Sequence, residues 1–410
     1  MTLRILLVSV ESPPANNAEA LQVGKVLMAL RKQPELAIDV VTAETPKGSI
    51  TTLQEILAAT PAAYPSQVVQ IPCRLSRWQR VLIRLFLPWL PRRPDWSFMF
   101  CQRWQQAVPK LHFSPDLIYS RSFPPSSSVA ALRLAQHFQI PWFLHLSDPW
   151  CESTQDTSEF AGRWHSLMER RCLQAATRIS FTSPITLQRY QQRYPRLQSR
   201  MVVDPNTYCT SSINSAPWQP GHRFRVVHTG SFTLNRRPDP LLRALLALGP
   251  NHPLLSDLDL IHAGPVDRPS RQAFRAAGPW LHEMGLLAPE SATALQQQAD
   301  LLLAIDWEFT HSHDSQYLLS KLTDYLAIRR PVLLITNEQS ASWQFVQAQR
   351  IGIAVPHQQI DAISNALLYY WQAWKQRQHS CFELPPPSPH YSAERLAQVI
   401  NADAHRDLGF

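Results

Sequence analysis

Short, continuous apolar runs separated by amphipathic stretches recur along this chain from its first residues almost to its last. A continuous apolar run is typical of a strand that is buried on both faces, as the strands of a parallel sheet are. The intervening stretches, of which Ala18–Arg31 and Ser126–His137 are the clearest, carry apolar residues at helical spacing. We therefore predict an α/β fold. Its strands are Arg4–Val10, Ile38–Thr42, Val68–Ile71, Leu117–Ser120, Trp142–Leu146, Ile179–Thr182, Met201–Val203, Phe224–His228, Leu258–His262, Leu301–Ile305, Val332–Ile335 and Ile351–Val355.

The alternation is interrupted once, between residues 211 and 222, by a polar stretch with two prolines and a glycine. A chain of 410 residues is too long for one ordinary core. We therefore predict an N-terminal domain at 1–210, a linker at 211–222, a second domain at 223–383, and a proline-rich connector with a final helix at 384–410. Both domains are expected to be Rossmann-like, doubly wound parallel sheets that face a central cleft, and ligands bind such sheets beyond the carboxyl ends of the strands.

The composition is that of a globular protein, with 45% hydrophobic and 17% charged residues. No run of eighteen apolar residues occurs, and the first residues lack the features of a secretion signal. The six cysteines are scattered without a Cys-x-x-Cys pair, which indicates a reducing cytoplasm and neither a zinc site nor a redox site. The net charge of +8 favours anionic partners. Nucleic acid ranks last among them, because no nucleic-acid-binding motif is present.

The segment Leu319–Ala327 predicts a helix whose start suits a diphosphate. Ser320 is a good N-cap residue, and the unpaired amides and dipole of a helix start attract anions. Lys321 adds a positive charge beside them. The alternative is that Ser320 caps a surface helix on which Lys321 is solvated.

Two adjacent arginines, Arg236 and Arg237, follow the predicted strand Phe224–His228 and the turn at Gly230. A planar guanidinium can hold two phosphate oxygens at once. An arginine and a lysine together can stabilise the charge that develops on a departing diphosphate, and they can do so without a metal. We expect one of the two arginines to serve this role and leave open which.

Four segments resemble family 4 retaining glycosyltransferases and are more closely similar to the bacterial polysaccharide-synthesis branch. The resemblance extends from residue 3 to about 402, with gaps near 45–110 and 360–390, and it implies the GT-B fold with the last helix returning to the N-terminal domain. The four segments are Pro115–Pro125, Ile140–Trp150, Val227–Pro238 and Leu319–Leu333.

The resemblance also implies roles for donor-binding residues, namely Gly230, Leu319 and Ser320 together with Arg236, Arg237 and Lys321 around the diphosphate. The family has two acidic residues eight positions apart, of which the first contacts the donor sugar and the second holds the ribose. In this chain the two positions are Gln316 and Asp324. Asp324 keeps a carboxylate that accepts bonds from ribose hydroxyls, whereas Gln316 has lost the charge.

The acceptor side is expected in the N-terminal domain. Asp148 ends a strand there, and it either positions the acceptor hydroxyl or the donor sugar, or is a turn residue before proline. Ser147 stands where the branch has arginine. Asn16 and Asn17 replace the paired glycines of many members and either shape the acceptor pocket or cap the following helix.

Two further stretches attract attention. His311, His313 and Asp314 resemble a metal cluster, but no clear further ligand is present, and we expect no metal. Residues 74–93 form a basic, Trp- and Leu-rich amphipathic stretch, with Arg74, Arg77 and Arg84 on one side. This stretch either lies on an anionic membrane surface or packs on the N-terminal domain.

Taken with the resemblance, these features predict a metal-independent glycosyltransferase without a cofactor other than its substrates. It would move a sugar from a nucleoside-diphosphate sugar to a hydroxyl of a polysaccharide or lipid-linked acceptor, with retention of configuration. Its expected location is the cytoplasm, with peripheral attachment to the membrane. The alternative is a catalytically weak or inactive GT-B-like binding or partner subunit, which the departures at Gln316, Ser147 and Asn16–Asn17 motivate.

Overall fold

The computed structural model describes residues 2–13, 15, 17–44, 66–73, 77–86, 94–153, 159–214, 216–233, 236–309 and 315–409. The chain divides into two compact units. The first unit comprises Met1–Thr207 together with Ser392–Phe410, and the second unit comprises Tyr208–Tyr391. Each unit is built on one parallel sheet.

The sheet of the first unit has seven strands. They are β1 (Leu3–Val8), β2 (Leu36–Ala43), β3 (Val68–Ile71), β4 (Leu117–Ser122), β5 (Trp142–Leu146), β6 (Arg178–Phe181) and β7 (Met201–Val203). They lie in the order β3-β2-β1-β4-β5-β6-β7, and every pairing is parallel. Almost all of their residues are buried, as expected when helices cover both faces of a sheet.

The sheet of the second unit has six strands. They are β8 (Phe224–Thr229), β9 (Leu258–Ala263), β10 (Leu281–Gly285), β11 (Leu301–Ile305), β12 (Val332–Ile335) and β13 (Gly352–Val355). Their order is β10-β9-β8-β11-β12-β13, again with parallel pairings. The predicted parallel α/β class is confirmed, and each predicted strand is present. The strand β10 was not predicted, because it is a mostly exposed edge strand in which His282 and Glu283 interrupt the apolar residues.

Helices connect the strands and cover both sheets. The described helices are α1 (Ala18–Arg31), α2 (Arg77–Phe86), α3 (Phe98–Gln102), α4 (Ser126–Phe138), α5 (Trp150–Ser153), α6 (Glu159–Ala175), α7 (Pro184–Arg193), α8 (Asp239–Ala247), α9 (Pro253–Asp257), α10 (Arg268–Arg275), α11 (Pro289–Gln297), α12 (Lys321–Ile328), α13 (Ala341–Gln349), α14 (Ile360–Lys375) and α15 (Ala393–Leu408). Apolar side chains of helices and strands form a core on each face of each sheet.

The described residues of 211–222, which were predicted as a linker, belong to the second unit instead. Trp218 is buried, its ring stacks on Phe382 at 4.2 Å, and its indole N–H donates to Asp300 at 2.7 Å. Prolines and polar residues in this stretch suggested an exposed connector, but a single tryptophan gives it enough apolar surface to be held in the core.

The last helix, α15, belongs to the first unit, where it packs against α1. Leu396, Ala397 and Ile400 share an apolar cluster with Leu27 and Leu30 of α1. The chain therefore leaves the first unit, forms the whole second unit, and returns.

Candidate functional site

Three loops of the second unit meet at one edge of its sheet. Gly230 follows β8, Asp306 follows β11, and Lys321 is the first residue of α12. Because β8 and β11 are parallel neighbours, their carboxyl ends meet at the same edge, which is where doubly wound sheets bind ligands. Charged side chains gather there.

Lys321 is held over the end of β8. Its ammonium donates to the backbone oxygen of Thr229 at 2.7 Å and lies 3.3 Å from Nε2 of His228. Burial and, to a smaller extent, the charge of Arg236 lower the pKa of Lys321 to about 7, although the charge of Asp306 opposes them. A cation with so low a pKa is poorly solvated and poorly balanced by counter-charge, and this arrangement favours an incoming anion.

Arg236 lies beside the same group of charges. Its Nη2 is 3.9 Å from Oδ1 of Asp306, while its buried Nε has no hydrogen-bond partner among the described residues. Burial raises the pKa of the Asp306 carboxyl, and the charge of Arg236 partly offsets that rise. Two cations therefore share one carboxylate, which leaves an excess of positive charge whenever Lys321 is protonated.

Gly230 makes room for the lysine. Its φ of +124° lies in a region that side chains rarely adopt, and a Cβ there would stand 2.6 Å from Nζ of Lys321. Gly264, which follows β9, packs against it so closely that a Cβ would lie 2.0 Å from the Gly230 oxygen. Both glycines are thus required by close approach at this edge.

Arg237 has other partners. Its Nε donates to Oδ2 of Asp239 at 3.0 Å, and its Nη1 is 3.8 Å from Oδ1 of Asp267. The structure therefore brings Arg236, and not Arg237, beside Lys321. The sequence left open which of the two arginines serves the diphosphate, and this arrangement favours Arg236.

The start of α12 is organised differently from the prediction. Ser320 has helical backbone angles, φ −58° and ψ −31°, and its side chain makes no capping hydrogen bond. Ser320 does occupy the N-cap position, as predicted, but its hydroxyl does not cap the helix, because side-chain capping needs extended angles that return the hydroxyl to the helix amides. Instead the Leu319 amide donates to Oγ of Ser342 at 3.1 Å, and that hydroxyl donates to Asp306 at 3.3 Å.

The two positions that the resemblance assigns to the donor sugar and ribose differ in exposure. Asp324 is partly exposed in the first turn of α12. Gln316 is 0% exposed, so its side chain presents no surface to a ligand in this conformation. The neighbouring His311, His313 and Asp314 lie outside the described residues. Within the described part of the chain, no group of three His, Cys, Asp or Glu side chains could hold a metal ion.

In the first unit, Asp148 follows β5 and is partly buried. The preceding Ser147 donates to Oε1 of Glu19 at 2.8 Å, and the completely buried Arg121 donates to the same carboxylate at 3.3 Å. Arg121 also meets the Ser147 hydroxyl at 3.5 Å. Arg121 and Glu19, which are 102 residues apart in the chain, were not predicted as site residues.

A second buried carboxylate fixes the segment after Asp148. Glu169 accepts hydrogen bonds from the hydroxyls of Tyr190 at 2.9 Å and Tyr194 at 2.7 Å, and from the Cys151 amide at 3.0 Å. Because Cys151 lies at the start of α5, this carboxylate holds the helix that begins two residues after Asp148.

Asn17 caps α1, because its Oδ1 accepts from the Ala20 amide at 2.9 Å. Its Nδ2 donates to Glu11 at 2.6 Å. Of the two roles expected for Asn17, the structure therefore displays helix capping. Asn16 lies outside the described residues.

Helix α2 coincides with part of the basic amphipathic stretch 74–93. Its apolar side chains face outward: Trp78 is 79% exposed, Leu85 68% and Phe86 74%. Arg74 lies outside the described residues, and the side chains of Arg77 and Arg84 are likewise not described. No helix in the described residues is long and apolar enough to cross a membrane.

Solved structures share this architecture over nearly the whole chain. HepE from Anabaena, solved in complex with UDP and glucose, has a TM-score of 0.60 at 14% identity and covers 100% of both chains. WaaG, a glycosyltransferase involved in lipopolysaccharide biosynthesis, has a TM-score of 0.57 at 14% identity over 97% of this chain and 99% of its own. A UDP-N-acetylglucosamine 2-epimerase has a TM-score of 0.60 at 11% identity over 100% of this chain and 96% of its own.

At these identities the likeness establishes the GT-B fold alone, which glycosyltransferases share with epimerases. A family match distinguishes them, because residues 29–207 match the glycosyl transferase 4-like domain. The chain is therefore a glycosyltransferase of the GT-B type. The match lies within the first unit, and it confirms the predicted class of enzyme. A comparison with curated protein sequences finds no match.

Proposed function

We propose that the second unit binds a nucleoside-diphosphate sugar and that Arg236 and Lys321 hold its diphosphate. The observation that carries the proposal is the paired cations at the carboxyl ends of β8 and β11, which share a single buried carboxylate, Asp306. The positive charge that remains when Lys321 is protonated would attract an anion such as a diphosphate. UDP is the first nucleotide to test, since HepE was solved with UDP.

In the reaction, the bond between the anomeric carbon and the diphosphate oxygen breaks, and its electron pair stays on the diphosphate. A new bond forms from that carbon to the acceptor oxygen. With retention, the acceptor approaches on the side of the leaving group, so that its proton passes to the departing oxygen. Lys321 and Arg236 stabilise the charge at the place where it develops.

The remaining site residues take supporting roles in this proposal. Asp324 holds the ribose, Gly230 admits the diphosphate beside Lys321, and Leu319 and Ser320 shape the wall of the site. Gln316 contacts the donor sugar only after its loop rearranges. In the first unit, Asp148 positions the acceptor hydroxyl. The acceptor is a growing polysaccharide or a lipid-linked sugar, as the resemblance implies.

The donor site is tested by calorimetric titration of the full chain with UDP, GDP and ADP. We expect Arg236→Ala to weaken the binding of the preferred nucleotide about tenfold or more, because hydrogen bonds to a charged group are lost. Arg237→Ala is the matched control and should change the affinity by less than about twofold, because Arg237 is paired with Asp239 and Asp267. Loss of binding in Arg237→Ala alone would overturn the assignment.

Turnover separates the enzyme from a binding subunit. We expect the protein to release the nucleotide slowly from one of a panel of nucleotide sugars, by transfer to water, and Arg236→Ala to abolish the release. If the protein binds a nucleotide tightly but breaks down none of the nucleotide sugars, with or without acceptors, the partner-subunit alternative is favoured.

We also propose that α2 rests on an anionic membrane surface, where a lipid-linked acceptor is found. Its outward-facing Trp78, Leu85 and Phe86 support this, together with the basic residues that the sequence places in the same stretch. The test is sedimentation with vesicles that contain 0 or about 30% anionic lipid. Trp78→Ser with Phe86→Ser should abolish binding, whereas Tyr369→Ser, which removes an exposed aromatic ring from the second unit, should not. Equal sedimentation of all variants would contradict the proposal.

A further inference from the structure

Two histidines lie buried beneath Lys321. His228 on β8 and His262 on β9 are register partners in the sheet, and each is 1% exposed. Their rings stack 5.1 Å apart, and Phe232 stacks on both, at 4.2 Å from His228 and 4.8 Å from His262. This packing fixes both imidazole planes, so only their protons are left to be assigned.

The hydrogen bonds permit one arrangement of those protons. Nε2 of His262 lies 3.2 Å from the oxygen of Gly264, which can only accept, so this nitrogen carries the proton. Nδ1 of His262 is then an acceptor. It accepts a hydrogen bond from Nδ1–H of His228 at 3.0 Å. Nε2 of His228 is consequently a bare acceptor, and it faces Nζ of Lys321 at 3.3 Å.

Both rings are neutral around pH 7. Burial lowers the pKa of His262 to about 4 and that of His228 well below its usual range, and the charge of Lys321 lowers both. Arg236 acts on His228 in the same direction. The hydrogen bond to the Gly264 oxygen raises the pKa of His262, but this effect is smaller than those of burial and of Lys321.

We infer that His228 and His262 are positioning residues for Lys321, acting as a relay that presents a fixed acceptor to its ammonium. The acceptors at His228 and Thr229 take two of the three N–H groups of the lysine. The third is then directed to the donor's diphosphate. This inference rests on the proposed function, because it gives the lysine its ligand, but the geometry of the relay itself does not depend on the ligand.

The first test is spectroscopic and needs no ligand. Long-range proton–nitrogen correlation of histidine-labelled full-length protein, with signals assigned through His228→Phe and His262→Phe, reports which ring nitrogen carries each proton. We expect Nδ1–H for His228 and Nε2–H for His262. A proton on Nε2 of His228 would overturn the relay.

The second test uses UDP affinity. His228→Phe keeps the stacked ring but removes the acceptor, and we expect UDP to bind about tenfold more weakly, whereas His228→Gln, which can place an oxygen near Nε2, should recover most of the affinity. His262→Phe should weaken binding similarly, because His228 loses its acceptor at Nδ1. Equal affinities of wild type and His228→Phe would overturn the inference.

A double-mutant cycle separates this inference from the proposed function. In a Lys321→Ala background, His228→Phe should have no further effect on the UDP affinity, because the relay acts through the lysine. If Lys321→Ala itself binds UDP as wild type does, the proposed diphosphate site fails. If only the His228 substitutions are silent, the site stands and the positioning role fails.

Discussion

Raising the pH from 7.5 to 9 is expected to weaken UDP binding roughly 20-fold, because Lys321 loses its proton in the free protein. Its pKa of about 7 means that the fraction carrying a charge falls from about one quarter at pH 7.5 to about one hundredth at pH 9. A bound diphosphate surrounds the ammonium with negative charge and restores its pKa toward the ordinary 10.4 or so. The lysine of the complex therefore stays protonated throughout this range.

The sign of the effect follows from these two states. The complex binds one proton more than the free protein, so higher pH opposes binding. At pH 8 the free lysine is about nine-tenths neutral, and UDP binding should take up about 0.9 proton. The last ionisation of a phosphate has a pKa near 6, so phosphate oxygens are almost fully ionised throughout this window.

Isothermal titration calorimetry in buffers of different ionisation enthalpy measures both the affinity and the proton uptake. Lys321→Arg is the matched control, because a guanidinium stays charged at every pH used and should give a nearly flat profile. Lys321→Ala should bind weakly and also show a flat profile. A wild-type affinity that does not change between pH 7.5 and 9, or an equal slope in Lys321→Arg, would refute the reasoning.

Three further predictions address the fold and the site. Gly230→Ala places a Cβ 2.6 Å from Nζ of Lys321 at a positive φ. We therefore expect a loss of about 1–3 kcal/mol in the free energy of unfolding, together with weaker UDP binding. An unchanged UDP affinity in calorimetry would contradict this geometry. Arg178→Met leaves the buried Asp204 without its guanidinium. It should lower the free energy of unfolding, measured by urea denaturation, by about 3–5 kcal/mol. A loss under about 1 kcal/mol would show that the ion pair contributes little. Burial raises the pKa of Asp300 to about 6, so the native state holds a proton between about pH 4 and 6 that the unfolded chain has released. The free energy of unfolding of wild type, relative to that of Asp300→Asn, should therefore fall as the pH rises through that range. A difference that stays constant with pH would argue against this.

The sheets were predictable because each buried strand is a continuous apolar run with a turn or polar segment at either end. This reasoning fails at β10, since a strand at the edge of a sheet needs only backbone pairing and leaves its side chains to solvent. It fails again at residues 211–222, where Trp218 alone outweighs the polar composition of its neighbours.

Part of the site was within reach of the sequence. Arg236 and Lys321 were identified from their residue types and from the resemblance, and the structure places both near Asp306. The histidine relay also leaves a signal, because His228-Thr-Gly230 and His262-Ala-Gly264 each close an apolar run with the same spacing. Two such repeats on adjacent strands predict neighbouring imidazoles.

The pairing of Arg121 with Glu19 was out of reach. These residues are 102 positions apart, and nothing in either segment indicates the other. Likewise, the choice between Arg236 and Arg237 depends on the loop that follows Gly230, whose path decides which guanidinium meets Asp239 and Asp267. Sequence periodicity carries no information about such a path.

The return of α15 to the first unit determines the order in which the protein can be completed on the ribosome. The apolar cluster that contains Leu27 and Leu30 lacks the side chains of α15 until that helix emerges, because the whole of Tyr208–Tyr391 is synthesised in between. At about 5–20 residues per second, that interval lasts on the order of 10–40 s. The unit that is translated first is thus completed only after the second unit has been synthesised.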